Sequence, residues 1–303
     1  DGLEISCLAV VPELERNEKY RGIIQIVHGM SEYKERYIPF MEYMAERKYI
    51  SVIHDHRGHG KSVRSKEDLG YMYGGGADAM LQDIHTVNCL IKDHFPGIPL
   101  ILFGHSMGSL AVRAYAAHHD SCMDMLIVCG SPSYNAFRPV GVALAKAGKT
   151  VFGPKHSAGL IEMMSFGSYA MHFKKEKNRF SWICSDPQVV QDYSDSEYCG
   201  FTFTDDAYLA LFDLMKSRGY DIRKKHMDCG MTIFDQETQD THAGGSGCGC
   251  AASTLASYIL PKLENGEWRK ILFVPTGALM STVSFNEGAS VPGIAHAIMI
   301  EHC

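Results

Sequence analysis

Long apolar runs are missing from this 303-residue sequence. None approaches the ~20 residues that a membrane-spanning helix needs, so a helical integral membrane protein is not expected. Peripheral contact with a membrane surface stays open. A cationic excess is missing as well: Lys and Arg number 29 against 35 Asp and Glu, for a formal charge of −6. FKKEKNR at 173–179 is short and mixed in sign and reads as a solvated face, so nothing points to nucleic acid. From Asp1 onward there is no charged n-region, apolar h-region or cleavage site, and the ten cysteines are scattered. Reduced thiols in a cytoplasmic setting fit that usage better than disulfides. What the chain does have is 46% hydrophobic and 21% charged residues, enough for one large core or two smaller ones.

Short apolar runs recur through the first two-thirds. GIIQIVHG (22–29), YISVIHD (49–55), PLILFGHS (99–106) and MDMLIVCG (123–130) end in Gly, His, Asp or Ser, as suits buried parallel strands. Helical patterns lie between them. Met80, Ile84, Val87 and Ile91 recur at helical spacing within 77–95, and Tyr37, Met41 and Met44 do the same after SEYKER. Such stripes read as core. Strand and helix in alternation, with short connections, predict an α/β fold with a mainly parallel sheet.

Within ILFGHSMGSL (101–110), Gly104-His105-Ser106-Met107-Gly108 has the spacing G-x-S-x-G. The serine follows an apolar strand and precedes the helical pattern MGSLAVRAYAAHH, which is the context of a nucleophile elbow. There the chain turns so sharply that the serine backbone is strained, and small residues two positions to either side avoid the neighbouring strand and helix. A chance match in a loop is the alternative, and the flanking strand and helix argue against it. An acyl-transfer serine also needs N–H donors for its oxyanion. Met107, just after the serine, offers one, and Met30 in VHGM, after an earlier strand, offers the second. An ordinary strand-end turn is the other reading of VHGM. His105 is turned away by elbow geometry and makes a poor base.

Taken together, IVHGMSEYKERY, DHRGHGKS, FGHSMGS, RFSWICSD and EYCGFTFT resemble the lysophospholipase or monoacylglycerol lipase-like α/β-hydrolases of the serine aminopeptidase S33 type, over about residues 1–216. The resemblance implies Ser106 as nucleophile, Met30 and Met107 as backbone oxyanion donors, and an acyl glycerol or lysophospholipid as substrate. It implies neither cofactor nor metal. It also implies a helical cap from about Tyr134 to Tyr193, a stretch rich in Phe, Met, Ala and Gly that suits either mobile helices over a lipid-like substrate or a structural insertion. In Asp55-His56-Arg57-Gly58-His59-Gly60 the glycines permit a tight path, and the histidines do not form an evident ligand set. In this fold the triad runs Ser, then acid, then His, on loops after later strands. Neither family motif follows, so the hydrolase domain is expected to lack its last strands. By order alone, Asp235 after one apolar strand and His302 after the final one satisfy the pattern as acid and base.

From about 217 to 303, DCGMTIFD, THAGGSGCGC, ILFVPTGALMS and VPGIAHAI resemble the C-terminal part of stage V sporulation protein AD, a thiolase-like protein. That resemblance implies a fragment of a layered α/β fold without its partner half. It makes a forespore or spore-associated location the alternative to the cytoplasm, and it accounts for Asp235 and His296 without catalysis. By pattern the tail holds a strand at 231–235, a helix from about Ala251 to Lys262, and strands at 271–275 and 294–300. The glycine run Gly244 to Cys250 could face an anion, though a close-packing turn explains it as well. Cys248 and Cys250, with His242, Cys229 and His226, follow C-x-C rather than C-x-x-C spacing, which favours buried thiols over a metal. Two functions compete: a cofactor-free carboxylic-ester hydrolase, and a non-catalytic protein. The second is either a hydrolase without its base or a sporulation-type binding module, and a fusion of two gene fragments explains both halves.

Overall fold

Gly22–Val27 is buried at all six positions and forms the central strand of a five-stranded sheet. The computed structural model describes residues 2–131, 138–176, 178–216, 254–268, 270–273 and 298–301. The chain divides into two units, Asp1–Lys225 and His226–Cys303.

In the first unit the strands are β1 (Cys7–Val10), β2 (Gly22–Val27), β3 (Tyr49–His54), β4 (Leu100–His105) and β5 (Met125–Cys129), in the order β1-β3-β2-β4-β5. β2 pairs in parallel with β3 and β4, and β4 with β5. Only β1 is antiparallel, with Cys7 opposite His54 and Val10 opposite Ser51. The four runs read from sequence are these parallel strands, each one to three residues shorter, because residues at their ends stay outside the ladder. β1 escaped the sequence reading.

Helices cover both faces: α1 (Ile38–Ala45), α2 (Gly76–His94), α3 (Met107–His119), α4 (Arg138–Phe152), α5 (Gly159–His172), α6 (Pro187–Asp195) and α7 (Asp205–Lys216). Because side chains alternate along a strand, Ile23 and Val27 of β2 join the core beneath α2, α3 and α7, which includes Met80, Ile84, Val87 and Ile91. Ile24 and Ile26 face the opposite way, onto Met41 with Tyr37 and Met44 beside it. Gln25, between them on β2, is buried as well. Gln25 donates to the Ile84 carbonyl (3.0 Å) and accepts from Asn88 (2.8 Å), so both ends of its amide are paired and tie the sheet to α2.

The expected cap is helical over α4, α5 and α6, with residues 132–137 outside the described ones. It is fastened to the start of α7, where the Ala158 N–H donates to Phe203 O and the Asp205 N–H donates to His156 O, both at 2.9 Å. A β-carbon at Gly141 would come within 2.6 Å of the Phe212 ring, so α4 and α7 pack nearly backbone to ring. Val151, Phe152, Leu160, Met163, Met164 and Met171 of α4 and α5 remain exposed. Among the described residues no helix is long and apolar enough to cross a membrane.

In the second unit a π-turn over Leu255–Ile259 runs into α8 (Leu260–Glu264). Pro261 lacks the N–H that an unbroken helix would use, which accounts for the switch. Strands β6 (Lys270–Phe273) and β7 (Ile298–Glu301) pair antiparallel, Lys270 opposite Glu301. Ile259 and Leu263 are buried, with Trp268, Ile271 and Ile300 against them. The expected strand at 231–235, the glycine run and residues Cys229, His226, His242, Cys248 and Cys250 lie outside the described residues.

Candidate active site

Ser106 lies between β4 and α3 with φ 52° and ψ −117°, outside the regions that L-residues occupy at low cost. Such a backbone costs about 1–3 kcal/mol and persists only when its surroundings fix it. The fixing bonds are visible. The Ser106 N–H donates to Cys129 O at the end of β5 (2.9 Å), and Ser106 O accepts from the Ser109 N–H (3.0 Å). The flanking glycines have no room for a side chain: a β-carbon at Gly104 would lie 2.5 Å from Gly108 O, and one at Gly108 only 2.0 Å from Val27 O. A thin crossing of β2, β4 and α3 therefore requires small residues two positions either side of the serine.

The loop after β2 comes up against this turn. A β-carbon at Gly29 would lie 3.2 Å from the Ser106 β-carbon, so the loop backbone borders the serine side chain. The Met30 N–H and the Met107 N–H have no hydrogen-bond partner among the described residues. Those are the two donors expected from sequence, one on the bordering loop and one at the first residue of α3.

What holds the loop was not read from sequence. Glu32 is buried and accepts from the Gly29 N–H (2.6 Å), from Arg36 (2.5 Å) and from the Tyr37 hydroxyl (3.0 Å). Burial alone would raise its carboxyl; the His105 contact, the Arg36 charge and the Gly29 N–H outweigh it and bring the value down to about 2. Four wholly buried histidines back the loop. His28 Nδ1 donates to Gly29 O (2.8 Å) while its Nε2 accepts from the His56 N–H (3.0 Å). His56 Nε2 donates to His28 O (3.0 Å), and His59 Nε2 accepts from the Ser31 N–H (3.2 Å). Burial lowers all four imidazoles, to about 3 for His54 and His59. For His28 and His59, whose two ring nitrogens are both bonded, a neutral ring with one donor and one acceptor nitrogen is what these bonds require, whereas both nitrogens of His54 and Nδ1 of His56 have no partner among the described residues. Gly58 and Gly60 take positive φ, and a β-carbon at Gly60 would lie 2.3 Å from the buried Asp55 carboxyl, which is paired with Lys34 at 2.6 Å. Ser31 joins the loop to the far end of the cap: its carbonyl accepts from Tyr193 Oη (2.9 Å) and the Gly200 N–H (3.0 Å), and its Oγ donates to Phe201 O (2.7 Å).

A strained serine after a parallel strand, bordered by a loop from an earlier strand and followed at once by a helix, is the framework of the α/β-hydrolase fold. The family model described as serine aminopeptidase, S33 matches residues 18–224. The chain belongs to that family. A second model, stage V sporulation protein AD, matches residues 208–301, overlapping the first at 208–224. Stage V sporulation protein AD of Bacillus subtilis is 38% identical over 89 residues, 29% of this chain and 26% of that protein. A monoacylglycerol lipase of Mycolicibacterium smegmatis is 30% identical over 129 residues, 42% of this chain and 44% of that protein. The chain thus spans less than half the length of either relative. Among solved structures, a thermostable carboxyl esterase from Bacillus coagulans in complex with glycerol superposes with a TM-score of 0.64 at 26% identity, over 71% of this chain and 69% of that one.

In this S33-family unit, His105 Nδ1 is 3.4 Å from Glu32 Oε1, and among the described residues no histidine hydrogen-bonds the Ser106 hydroxyl. Asp235 and His302, the acid and base permitted by chain order, lie outside the described residues and belong to the second unit.

Proposed function

We propose that the first unit is a carboxylic-ester hydrolase site of the monoacylglycerol lipase or lysophospholipase kind, with Ser106 as nucleophile. The Met30 and Met107 N–H groups hold the oxyanion as the hydroxyl attacks the acyl carbonyl; collapse expels the alcohol, and water releases the acid. The strained backbone of Ser106 carries this reading, because strain of that size is kept where the side chain has to be presented. The likeness to a monoacylglycerol lipase and a carboxyl esterase supports an acyl glycerol or related small lipid as substrate. The exposed Val151, Phe152, Met163 and Met164 of the cap support entry from a lipid surface and peripheral contact with it. Six described cysteines are free thiols, in keeping with a cytoplasmic or forespore setting.

Turnover needs an acid and a base, and in chain order these fall to Asp235 and His302. Without a base the rate drops by orders of magnitude to what binding and the oxyanion donors alone sustain. A second reading, a non-catalytic fusion of a hydrolase unit with a thiolase-like sporulation module joined near 212–220, rests on the stage V sporulation protein AD match over 208–301. A fluorophosphonate probe separates the two. Covalent labelling of the folded full chain, abolished in Ser106→Ala and in His302→Ala but kept in His296→Ala, is the result expected of a working triad. Absence of labelling in folded wild-type chain overturns the hydrolase reading and leaves the second.

A further inference from the structure

At the far end of α3 from Ser106, roughly 20 Å along the helix axis, lies a cluster that ester hydrolysis does not use. The ligand atoms of His85, His119 and Cys122 lie within 4.8 Å of one another, all three partly buried. Cys89 is beside them, its Sγ 3.6 Å from His85 Nε2. We propose that these residues form a binding site for a thiophilic divalent transition metal of the zinc class, with His85, His119 and Cys122 as the core and Cys89 as fourth donor.

Three features support the assignment. The spacings give two chelating pairs: His85-x3-Cys89 on successive turns of α2, and His119-x2-Cys122 where α3 passes into the turn that follows it. Residues four apart meet on one face of a helix, as His85 and Cys89 do, while His119 and Cys122 meet across the end of α3, and the two pairs together supply the donors of a Cys2His2 set. Next, His85 is already oriented from behind. Its Nδ1 is 3.0 Å from the hydroxyl of the buried Tyr115, and a donor bond there leaves Nε2 with its lone pair on the Cys89 side, as outer partners do for ligating histidines. Finally, the charges cancel. Two neutral imidazoles and two thiolates, each thiol releasing its proton as the metal enters, neutralise a divalent cation. His119 now stacks on His85 (ring centroids 4.4 Å apart) and on Tyr115 (4.7 Å), and ligation turns its partly exposed ring out of that stack. A metal held here would pin the middle of α2 to the end of α3 and to the turn that leads into β5.

Cobalt(II) titrated into the reduced full chain is the test. A thiolate-to-cobalt charge-transfer band and tetrahedral visible absorption, saturating at a single equivalent and bleached by zinc, are expected. Cys122→Ser and His119→Gln should each weaken cobalt and zinc binding by about tenfold or more. Cys89→Ser should lower the charge-transfer intensity, and Cys184→Ser should leave it unchanged; far-UV circular dichroism verifies that each variant is folded. Wild-type binding and spectrum in folded Cys122→Ser would assign the metal to other thiols and overturn the site. So would a wild-type chain that gives no charge-transfer band.

Discussion

Glu32 carries more of the candidate site than its position five residues past β2 suggests. One carboxylate receives the Gly29 N–H, the Arg36 guanidinium and the Tyr37 hydroxyl, so the backbone that presents the Met30 N–H is tethered to a buried side chain. In Glu32→Leu the Gly29 N–H loses its acceptor, at a cost of about 1–3 kcal/mol for an unpaired buried donor. Glu32→Gln keeps an acceptor oxygen but not the charge that pairs with Arg36. The expected outcome is a graded loss in the second-order rate of fluorophosphonate labelling, about tenfold or more for Leu and less for Gln, at equal far-UV signal. Equal rates in the two variants and the wild type would remove Glu32 from the site.

At the scale of elements, the Tyr193 hydroxyl at the end of α6 supplies one of two donors to the Ser31 carbonyl, the Gly200 N–H being the other. Tyr193→Phe keeps the ring under Arg36 and removes only the hydroxyl, worth about 0.5–1.5 kcal/mol. Faster amide exchange over residues 28–36, with exchange in α2 unaltered, is the expected mass-spectrometric signature; unchanged exchange in the loop would contradict the tether. The parallel strands and the Met80-Ile84-Val87-Ile91 stripe were legible because burial on a periodic element writes that period into the sequence. The elbow was legible because its steric demand falls on two glycines at fixed offsets. β1 was not: it has four residues, alternates between partly buried and exposed, and owes its place to pairing with β3 more than forty residues away. The loop's supports were hidden for the same reason, since the His28–His56 and Ser31–His59 bonds each span 28 residues. No local pattern announces such a pairing.

For the molecule as a whole, the histidine cluster fixes how stability responds to acid. His28, His54, His56 and His59 are held neutral in the fold, below their ordinary value of 6.5. Above that value they cost nothing. As pH falls below 6.5 the unfolded chain takes up protons that the folded one refuses, and each ring subtracts from stability, down to about pH 3 for His54 and His59. Glu32 acts in the same direction in a lower window: its contribution is complete above 4.5 and is lost as pH falls through about 2. With Trp182 in the first unit and Trp268 in the second, a Trp268→Phe chain reports on the first unit alone. Its urea midpoint should fall markedly between neutrality and about pH 5.5, whereas an unchanged or higher midpoint would mean that these rings protonate in the fold. The double use of Ser31 has a further consequence. The same residue holds the end of α6 through Tyr193 and adjoins Met30, so the seating of α6 and the order of the loop after β2 share one free energy. Such coupling is reciprocal: whatever settles the loop after β2 should steady the end of α6 by the same factor, and loosening the one should loosen the other.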